Sequence, residues 1–305
     1  MIAFFLQGLA IGIVSLIPGV SGMTVAVALG IYRRLIDSTK NFTKHWQSSL
    51  DFLLPFWAGV AIGIGLAVRL VAYGLTTFPF PTAMLFIGLL AGSIPLLLKQ
   101  YWLATVGRKQ LDRPLQLLIL VISFCVALIL ALIQLNSPLS GLSMTFPTLW
   151  ALFSLGVLSS VAFLIPGFSG SLLIMLLGFY ALLTTRLMGF MHDILTNSLY
   201  IDWNSFFFVI TFISGFIIGF IIFSHFVMAV VINYGQLTFA SAFGVLLAAP
   251  LAIIVCTKAL ANLQGSISVV LVMSALLFLV VGFMTTYVLG LYSTEFTREH
   301  PHQGS

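Results

Sequence analysis

Charged side chains are scarce in this 305-residue sequence. Lysine and arginine together number 12 and aspartate and glutamate 7, so charged residues make up 6% of the chain and apolar residues 61%. With a mean hydropathy of +1.19, the chain has more apolar surface than a soluble core can bury. The composition excludes a soluble globular protein and predicts an integral membrane protein, with no nucleic-acid partner.

Cysteine is also rare, and acids are missing from the apolar runs. Cys125 and Cys256 lie inside such runs, which is typical of small buried side chains rather than of a disulfide or a metal site. The seven acids all fall outside the predicted spans: Asp37, Asp51, Asp112, Asp193, Asp202, Glu295 and Glu299. The sequence therefore predicts no metal, no cofactor and no catalytic residue within the membrane.

Long apolar runs are what the chain has in abundance. Runs of the length that crosses a bilayer, about 20 residues, occur near 55–74, 115–135, 206–232, 237–257 and 267–290, with a shorter sixth near 82–98. Four further segments, at 2–17, 22–35, 148–165 and 170–183, are short and interrupted by Pro-Gly, which favours broken or re-entrant helices. Residues 2–17 lack a basic start and a small-residue cleavage site, so we expect them to belong to the mature fold.

Two stretches of the chain match each other. "PGVSGMTVAVALGIY" at 18–32 returns as "PGFSGSLLIMLLGFY" at 166–180, an offset of 148 residues. At an offset of 156 the pattern continues in the pairs Gly59-xxx-Gly63 and Gly215-xxx-Gly219, Arg69 and His225, and Gly88 and Gly244. Two copies of a break inside a repeat of the whole chain indicate two related halves, as in many transporters.

The sequence thus predicts an all-α polytopic membrane protein with an inverted-topology repeat. Each half has one re-entrant hairpin and three transmembrane helices, an odd number, so the second half enters the membrane upside down. We expect a first repeat at 1–135 with its hairpin at 2–35, a linker at 136–147, a second repeat at 148–290 with its hairpin at 148–183, and a tail at 291–305. A duplication kept only for packing is the alternative.

The basic residues predict the orientation. Loops at 33–54 and 99–114 carry eight lysines and arginines, whereas the opposite side carries Arg186 and Lys258. By the positive-inside rule, these loops and both termini face the cytoplasm. Four tryptophans fall near predicted span ends, as an interfacial aromatic belt requires: Trp57, Trp102, Trp150 and Trp203. A homodimer is left open beside a monomer.

The Pro-Gly breaks are predicted to place two helix starts inside the membrane. Proline ends the incoming helix and glycine permits a tight turn, so the next helices should begin near Ser21 and Ser169. A helix start presents unpaired amides and roughly half a positive charge, and two facing starts would form an anion site. The candidate binding residues are Gly19, Val20, Ser21, Gly22 and Thr24 in the first break, and Gly167, Phe168, Ser169, Gly170 and Ser171 in the second.

Arg69 and His225 are the remaining candidates for binding the anion. Arg69 is the only basic side chain well inside a predicted span, where an arginine costs about 2.5–3.5 kcal/mol on insertion scales, so an anionic partner such as phosphate is expected. Each candidate also has a structural alternative. Arg69 snorkels to the outer interface, and His225 donates to a carbonyl of a neighbouring helix. Ser21 and Ser169 are plain helix caps, and the Gly-xxx-Gly pairs are packing faces. Tyr32 and Tyr180 are either interface anchors or ligands.

These residues carry a resemblance to a known family. Through "IPGVSGMTVAVALGIY", "FIGLLAGSIPLLL" and "IPGFSGSLLIMLLGFY" the sequence resembles the bacterial polyprenyl-phosphate translocases of the PopT type, over most of the chain. The resemblance implies a lipid flippase in the bacterial cytoplasmic membrane. Its partner would be undecaprenyl phosphate, returned from the outer to the cytoplasmic leaflet so that the carrier lipid of cell-wall synthesis is recycled.

The sequence also leaves two rival functions to consider. Undecaprenyl pyrophosphate phosphatases share a similar motif, P-G-x-S-R-S, but Gly22 and Gly170 stand at its arginine position, and phosphoryl transfer needs acid or metal groups that the predicted spans lack. A channel or transporter for a small inorganic anion is the other rival. We therefore expect a transporter rather than an enzyme.

Overall fold

The computed structural model describes residues 1–40, 42, 44–105, 113–136, 145–165, 168–195, 202–257, 259 and 268–299. Within these ranges the chain forms α-helices and no strand, which confirms the predicted all-α class. The helices are α1 (Ile2–Ser15), α2 (Gly22–Ala28), α3 (Tyr32–Lys40), α4 (Trp46–Thr77), α5 (Pro79–Thr105), α6 (Arg113–Asn136), α7 (Phe146–Leu164), α8 (Gly170–Leu176), α9 (Tyr180–Leu195), α10 (Trp203–Cys256) and α11 (Val269–Glu299).

In the described part of the chain, seven helical segments are long and apolar enough to cross a membrane. Six correspond to the six predicted spans: α4, α5, α6, the α10 segments Trp203–Ser224 and Asn233–Cys256, and α11. The seventh is α7, a segment that the sequence predicts as a hairpin arm. Its 19 residues reach spanning length, whereas α1, with 14 residues, is shorter than a span.

The two spans predicted at 206–232 and 237–257 are joined in one helix, α10. Its backbone leaves the helical region at Tyr234, with φ −123° and ψ 29°. In the first half, α4 and α5 are likewise separated by a single residue, Phe78, with φ −133° and ψ 59°. Phe78 and Tyr234 are 156 residues apart, so both halves turn at matching positions.

Each hairpin arm that follows a Pro-Gly break is divided in two. The segments predicted at 22–35 and 170–183 are interrupted because Gly30 and Gly178 have φ of +70° and +82°, a conformation that favours glycine. Both positions form the same helix end, a Schellman motif. In this motif the amide of the residue after the glycine donates to a carbonyl five residues earlier. The Ile31 amide donates to the Ala26 carbonyl at 2.9 Å, and the Phe179 amide to the Ile174 carbonyl at 3.1 Å. The axes of α8 and α9 meet at 114°.

Glycines let α1 lie against α4, and α7 against α10, at backbone contact. A Cβ atom added at Gly59 would collide with the carbonyl oxygen of Phe5, and one added at Gly215 with that of Phe153. Gly63 and Gly219 face α1 and α7 in the same way. The interpretation of these glycine pairs as close-packing faces is confirmed, because a side chain there would push the helices apart.

The same contacts give the relative directions of the packed helices. In four pairs the residue numbers of facing positions rise together, so the helices are parallel. These pairs are α1 with α4 (Gly8–Phe56, Gly12–Val60), α7 with α10 (Phe153–Gly215, Val157–Gly219), α5 with α11 (Gly88–Leu279, Gly92–Phe283) and α6 with α10 (Gln116–Gln236, Leu120–Gly244). An inverted repeat requires these directions, and the inversion itself stays a prediction.

Candidate functional site between the two helix breaks

The first break separates α1, which ends at Ser15, from α2, which begins at Gly22. Pro18 has no backbone N–H and so cannot continue a helix. Gly19 has φ +99°, which side-chain-bearing residues rarely adopt. Ser21 then takes an extended conformation and becomes the N-cap of α2. The predicted start of this helix, near Ser21 or Gly22, is confirmed.

The second break separates α7, which ends at Leu164, from α8, which begins at Gly170 with Ser169 as its N-cap. This helix start is also where the sequence predicted it. Pro166 and the candidate Gly167 lie outside the described residues. Phe168, Ser169 and Ser171 are described, and both serines are buried.

The two breaks lie close together. Gly22 of the first break packs against the ring of Phe163, near the end of α7. The hydroxyl of Tyr180, the first residue of α9, donates a 3.0 Å hydrogen bond to the carbonyl oxygen of Leu16, just after α1. Tyr180 is thus a buried link between the two hairpins, and neither of its predicted roles, interface anchor or ligand, accounts for this contact.

A cleft rich in hydroxyl groups lies beside the first break. We call it the polar cleft; its walls are Gly19, Val20, Ser21, Thr24, Ser93, Leu96, Thr286 and Leu289. The first break and α2 provide four of these residues, α5 provides two and α11 two. The structure thus brings Gly19, Val20, Ser21 and Thr24, all predicted site residues, to one narrow cleft.

A second cleft joins the two breaks. We call it the apolar cleft; it is narrow, and its walls are Gly19, Leu90, Ser93, Leu97, Phe168, Ser169, Leu172, Ala242, Val245 and Leu246. Gly19 comes from the first break and Phe168 and Ser169 from the second, so the structure places both breaks at one cavity. Gly19 and Ser93 belong to both clefts.

The two N-cap serines use their hydroxyl groups differently. Ser169 Oγ accepts a hydrogen bond from the Leu172 amide at 3.4 Å and lies 2.9 Å from Ser171 Oγ. Ser21 makes no such cap, and its Oγ, on a residue only 5% exposed, has no hydrogen-bond partner among the described residues. A buried hydroxyl without a partner is costly in free energy. Ser21 is therefore available to a ligand in the polar cleft, whereas Ser169 is occupied as a cap.

Four described residues of the predicted site line neither cleft: Gly22, Arg69, Gly170 and Ser171. Arg69 is exposed on the outer surface of α4, a position in keeping with the snorkelling alternative. Gly170 faces the Ser159 carbonyl on α7 rather than a cavity. The side chain of His225 lies outside the described residues, although its backbone belongs to α10.

Ser93 and Thr286 are site residues that the sequence analysis missed. Ser93 Oγ donates to the Leu90 carbonyl of its own helix at 2.7 Å, which leaves its lone pairs free to accept. Thr286 Oγ1 donates to the Leu89 carbonyl at 2.8 Å, across the α5–α11 contact. Ser93 had a signal, a serine two residues before Pro95 within the quoted "FIGLLAGSIPLLL". Thr286 had none, because only the packing of α11 on α5 brings it to the cleft.

Hydroxyl groups, rather than charged side chains, are the polar side-chain groups that the described residues place in the two clefts. Among the described residues, no lysine, arginine, aspartate or glutamate lines either cleft, and no group of three or more metal-ligating side chains occurs. The polar cleft offers hydroxyl groups beside the start of α2, and the first amides of a helix have no acceptor within that helix. Groups of these kinds can donate hydrogen bonds to an anion.

Two proteins of known name are similar to this chain in sequence. A protein of Vibrio cholerae serotype O1 named polyprenyl-phosphate transporter is 27% identical over 257 residues, which are 80% of this chain and 74% of that protein. A Staphylococcus aureus protein of the same name is 27% identical over 173 residues, 56% of this chain and 59% of that protein. No solved structure matches the chain significantly. A family model described as undecaprenyl phosphate translocase-like matches residues 11–271, and the chain therefore belongs to that family.

Proposed function

We propose that the protein moves polyprenyl phosphate across the membrane and holds its phosphate in the polar cleft. The observation that carries the proposal is the buried, unpartnered hydroxyl of Ser21 at a helix start. Its hydroxyl-bearing neighbours Thr24, Ser93 and Thr286 line the same cleft. Both relatives described above are named as transporters of this lipid.

The physics of lipid transfer explains why such a site is sufficient. The barrier to flipping is the passage of the charged headgroup through hydrocarbon, whereas the prenyl chain stays in an apolar medium throughout. Hydroxyl groups and amides that point at the phosphate replace part of its hydration shell. A cleft without fixed countercharge also permits release, because no ion pair has to be broken.

We further propose that the transfer runs from the outer to the cytoplasmic leaflet of the bacterial inner membrane, which recycles the carrier lipid. The eight basic residues in the loops at 33–54 and 99–114 favour a cytoplasmic position for these loops and for both termini. The parallel packing of α5 with α11 and of α6 with the second part of α10, which joins the two halves, supports their opposite insertion. Opposed hairpins can open the same site to either leaflet in turn.

Leaflet exchange in liposomes tests the role of the polar cleft. We expect Ser21→Ala to slow exchange of undecaprenyl phosphate by about tenfold, the kinetic equivalent of one charge-assisted hydrogen bond. The matched control is Ser160→Ala, since Ser160 is a buried serine that bonds the Val157 carbonyl of its own helix and lines neither cleft. Unchanged exchange by Ser21→Ala would contradict the proposed site.

Uptake of inorganic phosphate by the same liposomes separates the lipid from a free anion, because the polar cleft offers the same hydrogen bonds to both. We expect lipid exchange without phosphate uptake. Phosphate uptake in liposomes that contain no prenyl lipid would identify the protein as an inorganic anion transporter instead.

A further inference from the structure

The apolar cleft differs from the polar cleft in composition, although the two adjoin. Of its ten wall residues, seven are apolar: Leu90, Leu97, Phe168, Leu172, Ala242, Val245 and Leu246. The polar residues in its wall are Ser93 and Ser169, and Ser169 Oγ is already engaged as a helix cap. The protein thus has a hydroxyl-rich cavity and an apolar cavity on either side of Gly19 and Ser93.

Gly19 and Ser93 lie in the walls of both clefts. Gly19 packs tightly on α5, because a Cβ atom there would come within 2.9 Å of the Leu90 amide nitrogen. The two clefts therefore adjoin at these residues, which is the arrangement that a ligand with one charged end and one apolar end needs.

The apolar cleft also adjoins the outer surface of the helix bundle. On α5, Leu97 in the cleft wall is 1% exposed and the next residue, Leu98, is 52% exposed. On α10, Leu246 in the wall is 8% exposed and Leu247 is 56% exposed. The cleft therefore lies between α5 and α10 at the point where both helices turn an apolar face to the bilayer.

We propose that the apolar cleft binds the first isoprene units of the transported lipid, and that the chain leaves the protein between α5 and α10. This inference rests on the proposed function, which places the phosphate in the neighbouring polar cleft. The phosphate ester fixes the first isoprene unit within one or two bonds of the phosphate, so that unit must lie beside Gly19 and Ser93. From there the leucines, Val245 and Ala242 give it an apolar path to the bilayer.

Photocrosslinking tests the path of the chain without altering the protein. Farnesyl phosphate with a photoreactive group on its first isoprene unit is bound to the reconstituted protein, and the labelled residues are mapped by mass spectrometry. We expect labels at Leu97, Leu98 and residues 245–247. Labels confined to the exposed outer surface of α6, such as Leu118 and Ile122, would overturn the proposal, because they would place the chain in the bulk lipid.

A second experiment fills the apolar cleft. We expect Ala242→Leu to weaken binding of farnesyl phosphate by about tenfold while binding of inorganic phosphate stays unchanged. Ala249→Leu is the control, since Ala249 is a buried alanine on the same helix and lines neither cleft. If the larger side chain of Ala242→Leu impairs folding, Leu97→Ala tests the same cleft, because it removes apolar atoms from the wall instead of adding them. It should also weaken binding of farnesyl phosphate but not of inorganic phosphate.

The outcomes separate this inference from the proposed function. Wild-type protein that binds neither farnesyl phosphate nor inorganic phosphate would refute the function itself. If Ala242→Leu and Leu97→Ala bind farnesyl phosphate as tightly as the wild type does, the chain site is refuted and the proposed function is not. Equal loss of both ligands in the two cleft variants, with the Ala249→Leu control intact, would also overturn the chain site, since the clefts would then not be separate.

Discussion

At the scale of single residues, the two copies of the break motif have diverged in what their serines do. Ser169 caps α8 through the Leu172 amide, whereas Ser21, in the wall of the polar cleft, caps nothing and has no hydrogen-bond partner for its hydroxyl among the described residues. Equivalent serines of the repeat thus differ in their hydrogen bonding. The sequence predicted both serines as helix starts, which is correct, but could not say which hydroxyl is free, because that depends on local hydrogen-bond geometry.

Ser169→Ala tests this division of labour. Removing an N-cap hydroxyl costs about 1 kcal/mol, so we expect a lower melting temperature in detergent and a smaller loss of lipid exchange than in Ser21→Ala. Ser171→Ala, which removes the 2.9 Å contact with Ser169 but keeps the cap, is the comparison. Full stability of Ser169→Ala together with lost exchange would instead assign Ser169 to the headgroup.

At the scale of the helices, the short α2 and α8 are defined at both ends by backbone chemistry. Each begins at an N-cap serine and ends at a glycine with positive φ, Gly30 or Gly178. The glycine recurrence at an offset of 148 was visible in the sequence. The turn that follows was not predicted, since apolar residues continue on both sides of each glycine and mask the interruption.

Gly178→Ala measures how much the α8–α9 turn depends on glycine. A side chain in the left-handed region costs about 1–2 kcal/mol, so we expect a lower melting temperature. Gly189→Ala is the matched control, because Gly189 lies within α9 and an added Cβ would meet only Ser205 Oγ at 3.7 Å. That change should be neutral or stabilising. Equal effects of the two substitutions would show that the positive φ is unimportant.

The start of α10 has a pH-dependent cap. Asp202 accepts hydrogen bonds from Ser205 Oγ at 2.7 Å and the Asn204 amide at 3.1 Å, and Arg186 lies 3.5 Å away. The Ser205 bond above all lowers the pKa of Asp202 from its ordinary value of 3.8. The resulting stabilisation is complete above pH 3.8 and is lost as the pH falls through the lowered pKa.

Thermal unfolding at low pH checks this cap. Between about pH 5 and about pH 2, we expect the melting temperature of the wild type to fall more than that of Asp202→Asn, which has no carboxylate to protonate. Parallel pH profiles of the two proteins would contradict the lowered pKa.

At the scale of the whole molecule, the repeat is visible as matching helix contacts. The α1–α4 packing of the first half returns as the α7–α10 packing of the second, with glycines at equivalent positions. The long helices also exchange partners between halves, since α5 packs on α11 and α6 on α10. The halves are therefore interlocked, and neither half forms the clefts alone.

Cysteine labelling tests the predicted inversion. Ser48→Cys at the start of α4 and Asn204→Cys at the start of α10 place thiols at exposed positions. We expect a membrane-impermeant thiol reagent to label the Asn204 variant from outside intact cells and the Ser48 variant only after the membrane is opened. Labelling of both from outside would refute opposite insertion. Both variants are made in a background with Cys125→Ala and Cys256→Ala, because native Cys125 is exposed and Cys256 is the partly exposed last residue of α10.

The sequence by itself determined the helical class, the six predicted spans and the positions of both helix breaks. These follow from local causes: hydrophobic length, the missing N–H of proline and the conformational freedom of glycine. The family resemblance also rested on residues that the sequence displays directly.

Only the tertiary structure decided which residues share a cavity. Thr286 reaches the polar cleft because α11 packs on α5, nearly 200 residues away in sequence. Arg69, predicted in the site, lies on the outer surface of α4 instead. Side-chain direction depends on how a helix is rotated against its neighbours, and that rotation is set by long-range contacts such as those of the paired glycines.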